Sequence, residues 1–379
     1  MSMTVALIFG GAGFERQVSL AGARFVYPLI AREKYNIIPI FIAPDGRWLM
    51  READLHEKET GLLIFGGDDP CDLTKTKEKN SGTLEREKSS YVLPEVEEFS
   101  LPVAPINLGD RRGVISEVGF LPVDVAFPLL HGDFGEDGVV QGALENAGIK
   151  FVGEDAATSA ICLDKRLCHL IAHRLGIPTA KGIFADKGEP CHTVKERAER
   201  IIGYPLFIKP CDLGSSVGAF AVRHSSQFDE AYESAAGLTR RGLMIEELVD
   251  IDSELEIGVL LLKGKQLFTN IGKIKTDIGF YDYKEKYESG SSALVEDSPK
   301  IDEKHRKIIG EYARRLSEFL HLSSLCRLDF FLTRDDRILF NEINTMPGFT
   351  ETSLYPRLAS SLGLSPRNLI DALICEALL

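Results

Sequence analysis

The segment "LCRLDFFLTRDDRILFNEIN", residues 325–344, constrains this chain more than any other. Two runs rich in Leu, Ile and Phe flank the polar stretch "TRDDR", the pattern of an antiparallel hairpin. Each run carries polar residues two apart: Arg327 and Asp329 in the first, Glu342 and Asn344 in the second. Side chains at i and i+2 of a strand share a face, so each pair points one way. A turn near 333–337 sets Asp329 roughly opposite Glu342. A solvated polar face on an edge hairpin is the bland alternative. Leu328, Phe330, Phe331, Phe340 and Ile343 argue instead for burial, where unpaired carboxylates are costly. Two carboxylates and an amide oxygen side by side make a hard-oxygen set, suited to magnesium that keeps some waters and also holds a phosphate. The second strand then breaks in Met346-Pro347-Gly348.

The remaining sequence reads as α/β. "TVALIFGG" (4–11), a helix over 19–30 and "NIIPIFIAPDGRW" (36–48) give strand, helix, strand, which predicts a parallel sheet covered by helices. Residues 51–98 are rich in Lys, Glu, Asp and Gly and read as an insertion. "VDVAFPLLHG" resumes the strand pattern, and a short helix stopped at Gly148 follows. Residues 163–178 read as a helix ended by Gly176 and Pro178. "GLMIEELV" and "SELEIGVLLLKGKQLFTNIG" read as successive antiparallel strands. Residues 273–299 have little periodicity and read as a closing loop. Residues 302–320 predict an amphipathic helix with Ile308, Tyr312, Leu316 and Phe319 on one face.

Bulk properties narrow the function. With 379 residues, two or three domains are expected. The net charge of -13 argues against nucleic acid or an anionic membrane as partner, though a local basic pocket still allows ATP. Seven dispersed cysteines without a CxxC pair read as reduced thiols, and with no signal-peptide start or membrane-length apolar run a cytoplasmic location is expected.

Other candidate residues sit at element ends. Lys165 and Lys209 lie at the edges of apolar elements, and Lys209 precedes the loop "CDLGSSVG" with Ser215 and Ser216. A lysine beside free N–H groups of a Gly/Ser loop can hold phosphates without a Walker motif. Glu246, Glu247 and Glu254 could accept from an adenine amino group or ribose hydroxyls, and equally form a solvated acidic edge. "LLHGDFGEDG" places His131, Asp133, Glu136 and Asp137 at a strand end, and "FGGAGFERQVS" places Glu15 and Arg16 where a helix begins. Ligands of open α/β sheets bind beyond such carboxyl ends.

Taken together, "FGGAGFERQVSL", "FPLLHGDFGEDGVVQGALENAGIKFVG", "LDKRLCHLIAHRLGIPTA", "YPLFIKPCDLGSSVG", "FYDYKEKY" and "RLDFF…NEINTMPGFT" closely resemble the D-alanine–D-alanine ligases of the ATP-grasp family, over nearly the whole chain. The resemblance implies three domains, 1–153, 154–246 and 247–379, with a lid loop at 273–299. It implies a two-step reaction through an acyl phosphate, with ATP and two magnesium ions, or manganese in their place. Carried over, Asp329, Glu342 and Asn344 match magnesium ligands. Lys165, Lys209 and Lys286 match lysines on the ATP phosphates, and Glu246 and Glu254 match nucleotide-binding carboxylates. Glu15 matches the residue holding the first substrate's ammonium group, with Ser215 and Tyr287 its hydrogen-bonding partners. His131 falls near that substrate's carboxylate, Arg327 and the Gly348 N–H match an oxyanion hole, and Ser353 matches the receiver of the second substrate's carboxylate. A homodimer is expected on the same ground.

Three alternatives stay open. The acceptor could be D-serine rather than D-alanine, since an apolar pocket rejects a hydroxyl only weakly. The glycines of "FGGAG" invite a dinucleotide-binding oxidoreductase, although the full GxGxxG spacing is missing. A catalytically silent nucleotide-binding regulator would have lost the metal or lid residues, and they are present.

Overall fold

The computed structural model describes residues 3–51, 54, 91–109, 111–117, 119–275, 294–297 and 299–379. The N-terminal part runs β1 (Met3–Gly10), α1 (Arg16–Val26), β2 (Tyr35–Ile42), β3 (Trp48–Met50), β4 (Leu101–Asn107), β5 (Arg112–Ser116), β6 (Gly119–Pro122), β7 (Val125–Leu129), α2 (Val139–Asn146) and β8 (Lys150–Phe151). One sheet results, in the order β6-β5-β4-β3-β2-β1-β7-β8. The expected parallel sheet is therefore only half of it. β2, β1, β7 and β8 pair in parallel, while β3 to β6 form an antiparallel extension. The physical reason is connection length. β4, β5 and β6 are joined by short turns, which permit only antiparallel neighbours. β1 lies inside the sheet, and Val5 to Phe9 are fully buried, as a continuous apolar run demands. Gly10 closes it at φ 103°, and a Cβ there would lie 2.4 Å from the Ile42 carbonyl oxygen.

Next come α3 (Ala156–Leu163), α4 (Lys165–Arg174), β9 (Gly182–Asp186), α5 (Cys191–Ile201), β10 (Leu206–Pro210), β11 (Phe220–Val222), α6 (Phe228–Ala236) and β12 (Gly242–Glu247). The strands form a second, antiparallel sheet in the order β11-β10-β12-β9. Leu206, Ile208, Leu243 and Ile245 bury against α5 and α6. Strand parity turns Phe207, Lys209 and Glu246 to the opposite face.

The third group is β13 (Ile251–Leu262), β14 (Lys265–Lys275), β15 (Leu294–Glu296), α7 (Glu303–Leu320), β16 (Leu325–Thr333), β17 (Ile338–Asn344), α8 (Leu354–Ala359) and α9 (Pro366–Leu378). Its sheet order is β15-β14-β13-β16-β17. The strands 242–249 and 253–272 were expected to pair. They do not: β12 pairs with β10 and β9, and β13 with β14 and β16. The link between them is tied elsewhere, Leu248 N–H donating to Pro205 and Arg334 N–H to Asp250. The Lys263-Gly264 turn has φ of 52° and 69°, the left-handed pair a tight hairpin needs. The two ends of 273–299 are strand rather than loop, at β14 and β15, and 276–293 lies outside the described residues. So does most of the 51–98 insertion, 55–90 included.

In α7 the buried stripe is Ile309, Ala313, Leu316 and Leu320. Ile308 and Tyr312 pack at its margin, but Phe319, expected inside, is half exposed. A stripe centred on Ala313 lets the helix approach the sheet, and that rotates Phe319 outward. α3 and α4 pack under β13, β16 and β17, while α9 returns to the N-terminal sheet, where Leu369, Ile370 and Leu373 meet Val5, Leu7 and Phe127.

Glu154 joins the first and third groups. Its buried carboxylate accepts from Ser323 N, Ser323 Oγ and Ser324 N at 2.8, 3.1 and 2.9 Å. Glu154→Ala leaves these donors unmatched and is expected to cost about 3 kcal/mol, read as a lower urea midpoint. Among the described residues no helix is long and apolar enough to cross a membrane.

Candidate active site

Two clefts open between the three sheets. The first is lined by Glu15, His131, Ser215, Arg327, Gly348 and Ser353, among others, and the second by Lys209, Ser216, Glu246, Glu247, Glu254 and Asp329. Lys165, Gly214, Ser215 and Glu342 line both. Lys286 and Tyr287 lie outside the described residues.

The first cleft starts from sheet order. β1 and β7 are parallel neighbours, so the residues just past their carboxyl ends, Glu15 and His131, fall side by side. Glycine lets the surrounding loops close on Glu15. A Cβ on Gly132 would lie 2.6 Å from Glu15 Oε2, and one on Gly214 3.0 Å. The Ser215 hydroxyl donates to Glu15 Oε1. Ser215 and Ser216 both have left-handed backbone, φ 49° and 60°, which bends the Gly/Ser loop over this carboxylate.

The loop after β7 grips the peptide of Met346 from both sides. His131 Nδ1 lies 3.0 Å from the Met346 carbonyl oxygen, and Glu136 accepts the N–H of Met346 and of Gly132, each at 3.0 Å. His131 Nε2 is buried with no partner among the described residues. Burial lowers the His131 pKa, with Glu15 opposing. Burial, then the charge of Glu15, pushes Glu136 up to about 8. Two residues after Met346, a Cβ on Gly348 would stand 2.9 Å from Ser353 Oγ. That oxygen accepts from Thr350 N at 2.9 Å and sits 2.7 Å from Thr350 Oγ1.

The hairpin supplies the floor. Asp329 faces Glu342, and Arg327 faces Asn344. Arg327 holds Asp329 through Nε and Nη2, both at 2.7 Å, and Asn344 Nδ2 donates to Asp329 Oδ2 at 2.9 Å. Lys165, first residue of α4, reaches Glu342 Oε2 at 3.1 Å and donates to the Leu213 carbonyl at 2.6 Å. In the second cleft Lys209 Nζ is 2.7 Å from Glu246 Oε2 and 3.2 Å from Asn341 Oδ1. Glu247 accepts from Lys181 N at 3.2 Å.

Four contributors were not picked out from the sequence. Asn341 enters the second cleft because the β16–β17 register shifts between Asp329 and Phe330. His169, on α4, donates its Nε2–H to the Asn341 carbonyl at 3.0 Å, and burial lowers its pKa to about 4, so it is neutral at pH 7. Glu136 stood in the glycine loop already noted, without an assigned role. Glu256 was hidden in the alternation of "SELE", the ordinary look of a half-exposed strand.

Among the described residues no three His, Cys, Asp or Glu side chains form a metal cluster. The oxygen donors on offer are Asp329 and Glu342 plus the Asn344 amide, whose oxygen is not spent on the contact to Asp329. Three carboxylates, Glu256, Asp329 and Glu342, share this floor with two cations, Arg327 and Lys165. The negative excess and the oxygen chemistry fit a divalent cation.

Residues 4–154 match the family model described as "D-ala D-ala ligase N-terminus", and residues 171–375 match "D-ala D-ala ligase C-terminus". The chain belongs to the D-alanine–D-alanine ligase family. It is 35% identical to the D-alanine–D-alanine ligase of Geobacillus kaustophilus, covering 100% of this chain and 95% of that one. The Deinococcus radiodurans ligase is 34% identical, with 100% and 99% covered. Among solved structures, the VanG D-Ala:D-Ser ligase of Enterococcus faecalis has 30% identity and a TM-score of 0.78, with both chains covered in full. The D-alanine–D-alanine ligase of Coxiella burnetii has 27% identity and a TM-score of 0.76, with 100% and 94% covered. The fold is thus that of the ATP-grasp ligases, and family membership brings the use of ATP and a divalent metal.

Proposed function

We propose that this ligase joins two D-alanine molecules at the expense of ATP, making a precursor for peptidoglycan. The observation that carries the reading is the wall shared by the two clefts. A nucleotide in the second cleft would end at Lys165 and Glu342, where the first cleft would present an amino-acid carboxylate. That carboxylate attacks the γ-phosphorus and ADP leaves. The amine of the second D-alanine then attacks the acyl carbon, losing a proton as phosphate departs. Bound at Asp329, Glu342 and Asn344, magnesium supplies charge neutralisation of the phosphates.

The chain's own residues bind and orient. Lys165 and Lys209, with Lys286 from the resemblance, hold phosphate oxygens, while Glu246, Glu247 and Glu254 accept from the nucleoside. Ser216 contributes to the loop around the phosphates. Glu15, fixed by Ser215, takes the first substrate's ammonium group, and Tyr287 joins this pair. His131 lies near its carboxylate. Arg327 and the Gly348 N–H stabilise the tetrahedral oxyanion. Ser353 receives the second carboxylate. Two metal ions, a homodimer and a division into 1–153, 154–246 and 247–379 complete the proposal, all on family likeness.

Phosphate release by purified protein with ATP, Mg²⁺ and D-alanine tests it, with D-alanine-dependent release expected. Folded protein that releases none refutes it. The likeness to a D-Ala:D-Ser ligase favours one second reading, D-serine as acceptor. Competition between the two acceptors, with products separated by mass, decides, and the dipeptide of D-alanine is expected to dominate.

A further inference from the structure

Across β13, β16 and β17 the register sets Glu256, Asp329 and Glu342 in one row on one face. Glu256 is 4% exposed, and its Oε2 lies 3.0 Å from Arg327 Nε. That same Nε also donates to Asp329, so one guanidinium spans two carboxylates. Asp329 already has both oxygens engaged by Arg327. A cation taking an Asp329 oxygen would repel the guanidinium and draw electron density from this fork, loosening it. A guanidinium loosened from Asp329 would still have Glu256 beside its Nε.

We propose that Glu256 is a positioning residue that takes over Arg327 when a divalent cation claims Asp329. The inference rests on the functional reading above for the role of Arg327 and of the metal. Glu256 lines the first cleft, and in that reading its part is to hold Arg327 rather than to bind substrate. It acts by keeping Arg327 aimed at the developing oxyanion and by removing Arg327 as a competitor for Asp329. Without Glu256, Arg327 stays clamped on Asp329, and the cation must displace it against a stronger ion pair.

The test is Glu256→Gln and Glu256→Asp in the full chain. Mn²⁺ binding is titrated by electron paramagnetic resonance of the free ion with ADP saturating, which needs no turnover. Expected for Glu256→Gln are about tenfold weaker Mn²⁺ binding and about a hundredfold lower kcat with the KM for ATP within threefold, while Glu256→Asp recovers most of both. In an Arg327→Ala background the Glu256→Gln effect on Mn²⁺ is expected to shrink below twofold, because the competitor is gone. Equal weakening in both backgrounds means bare loss of charge and overturns the proposal, as does unchanged Mn²⁺ affinity in the single variant. Should Glu256→Gln not fold, Glu256→Asp alone must still bind Mn²⁺ more weakly than wild type. Absence of D-alanine-dependent phosphate release by wild type would sink the functional reading, while the Mn²⁺ titrations would still report on the hand-over of Arg327.

Discussion

Glu342→Ala is expected to lower turnover by about 10³-fold or more, with circular dichroism and sedimentation unchanged. Glu342 is the carboxylate on the wall of both clefts, so its loss removes a proposed metal oxygen at the point where phosphate and amino acid meet. It also strands Lys165. Burial works against the Lys165 ammonium, and Glu342 more than offsets this, holding its pKa above the usual lysine value. With Glu342 gone only the opposing effect of burial is left dominant, so Lys165 becomes easier to neutralise and the phosphate contact proposed for it weakens as well. Both losses fall on the same step. The fold should survive, because the strand keeps Ile338, Phe340 and Ile343 buried in the core shared with α3, α4 and α7. Stability should drop by only about 1–3 kcal/mol, the cost of leaving one buried ion without its partner in a partly open cleft. Phosphate release with ATP, Mg²⁺ and D-alanine measures the turnover. Glu342→Gln, which keeps the shape and one oxygen, should fall between. Activity of the Ala variant within tenfold of wild type would remove Glu342 from the metal site.

How far such a site can be read from the chain depends on the sequence distance over which its geometry is set. The Asp329–Glu342 pairing was legible because strand parity and one short turn decide it locally. The meeting of Glu15 with His131 needed the order of strands in a sheet, and the pattern only hinted at it through glycine-rich strand ends. Lys165 and Lys209 looked like surface charges in isolation, since it is the packing of α4 under β17 and the inward turn of β10 that buries them. The meander β4 to β6 escaped notice because "LPVAPINLGDRRGVISEVGFLP" is short, rich in proline and glycine, and weakly alternating. Asn341 could not be foreseen, because one register shift brings it into the second cleft and no residue pattern marks that shift. For Glu256 the local pattern misled: alternation suggested a solvated edge, while two flanking strands made it interior.

Raising the pH from 6 to 9 is expected to destabilise the protein through Glu136, and Glu136→Gln should remove that share of the dependence. The carboxyl is pushed up from an ordinary 4.5 to about 8, by burial first and then by Glu15, while the N–H groups of Gly132 and Met346 pull the other way. A folded-state pKa above the unfolded one means that the fold binds the proton more tightly. The stabilisation is therefore complete below about pH 4.5 and is lost as pH rises through about 8. Within that window the slope approaches one proton, on the order of 1.4 kcal/mol per pH unit. Glu154, pushed up to about 7 by burial, adds a second contribution of the same sign. Urea unfolding of wild type, Glu136→Gln and Glu154→Gln across pH 5 to 9 separates the two. The quantity to compare is the slope, because Gln presents an amide N–H₂ in place of one of the two oxygens with which Glu136 accepts from the Gly132 and Met346 N–H groups, and this shifts every stability by a constant. Ionised Glu136 also bears on function. It holds the N–H of Met346, two residues before Gly348, so a carboxylate that repels Glu15 loosens the turn that carries the proposed oxyanion donor. Bound D-alanine would bring an ammonium group to Glu15 and relieve that repulsion, so saturating D-alanine should flatten the wild-type slope and leave Glu136→Gln unmoved. A Glu136→Gln slope equal to that of wild type would show that this carboxyl does not carry the buried proton.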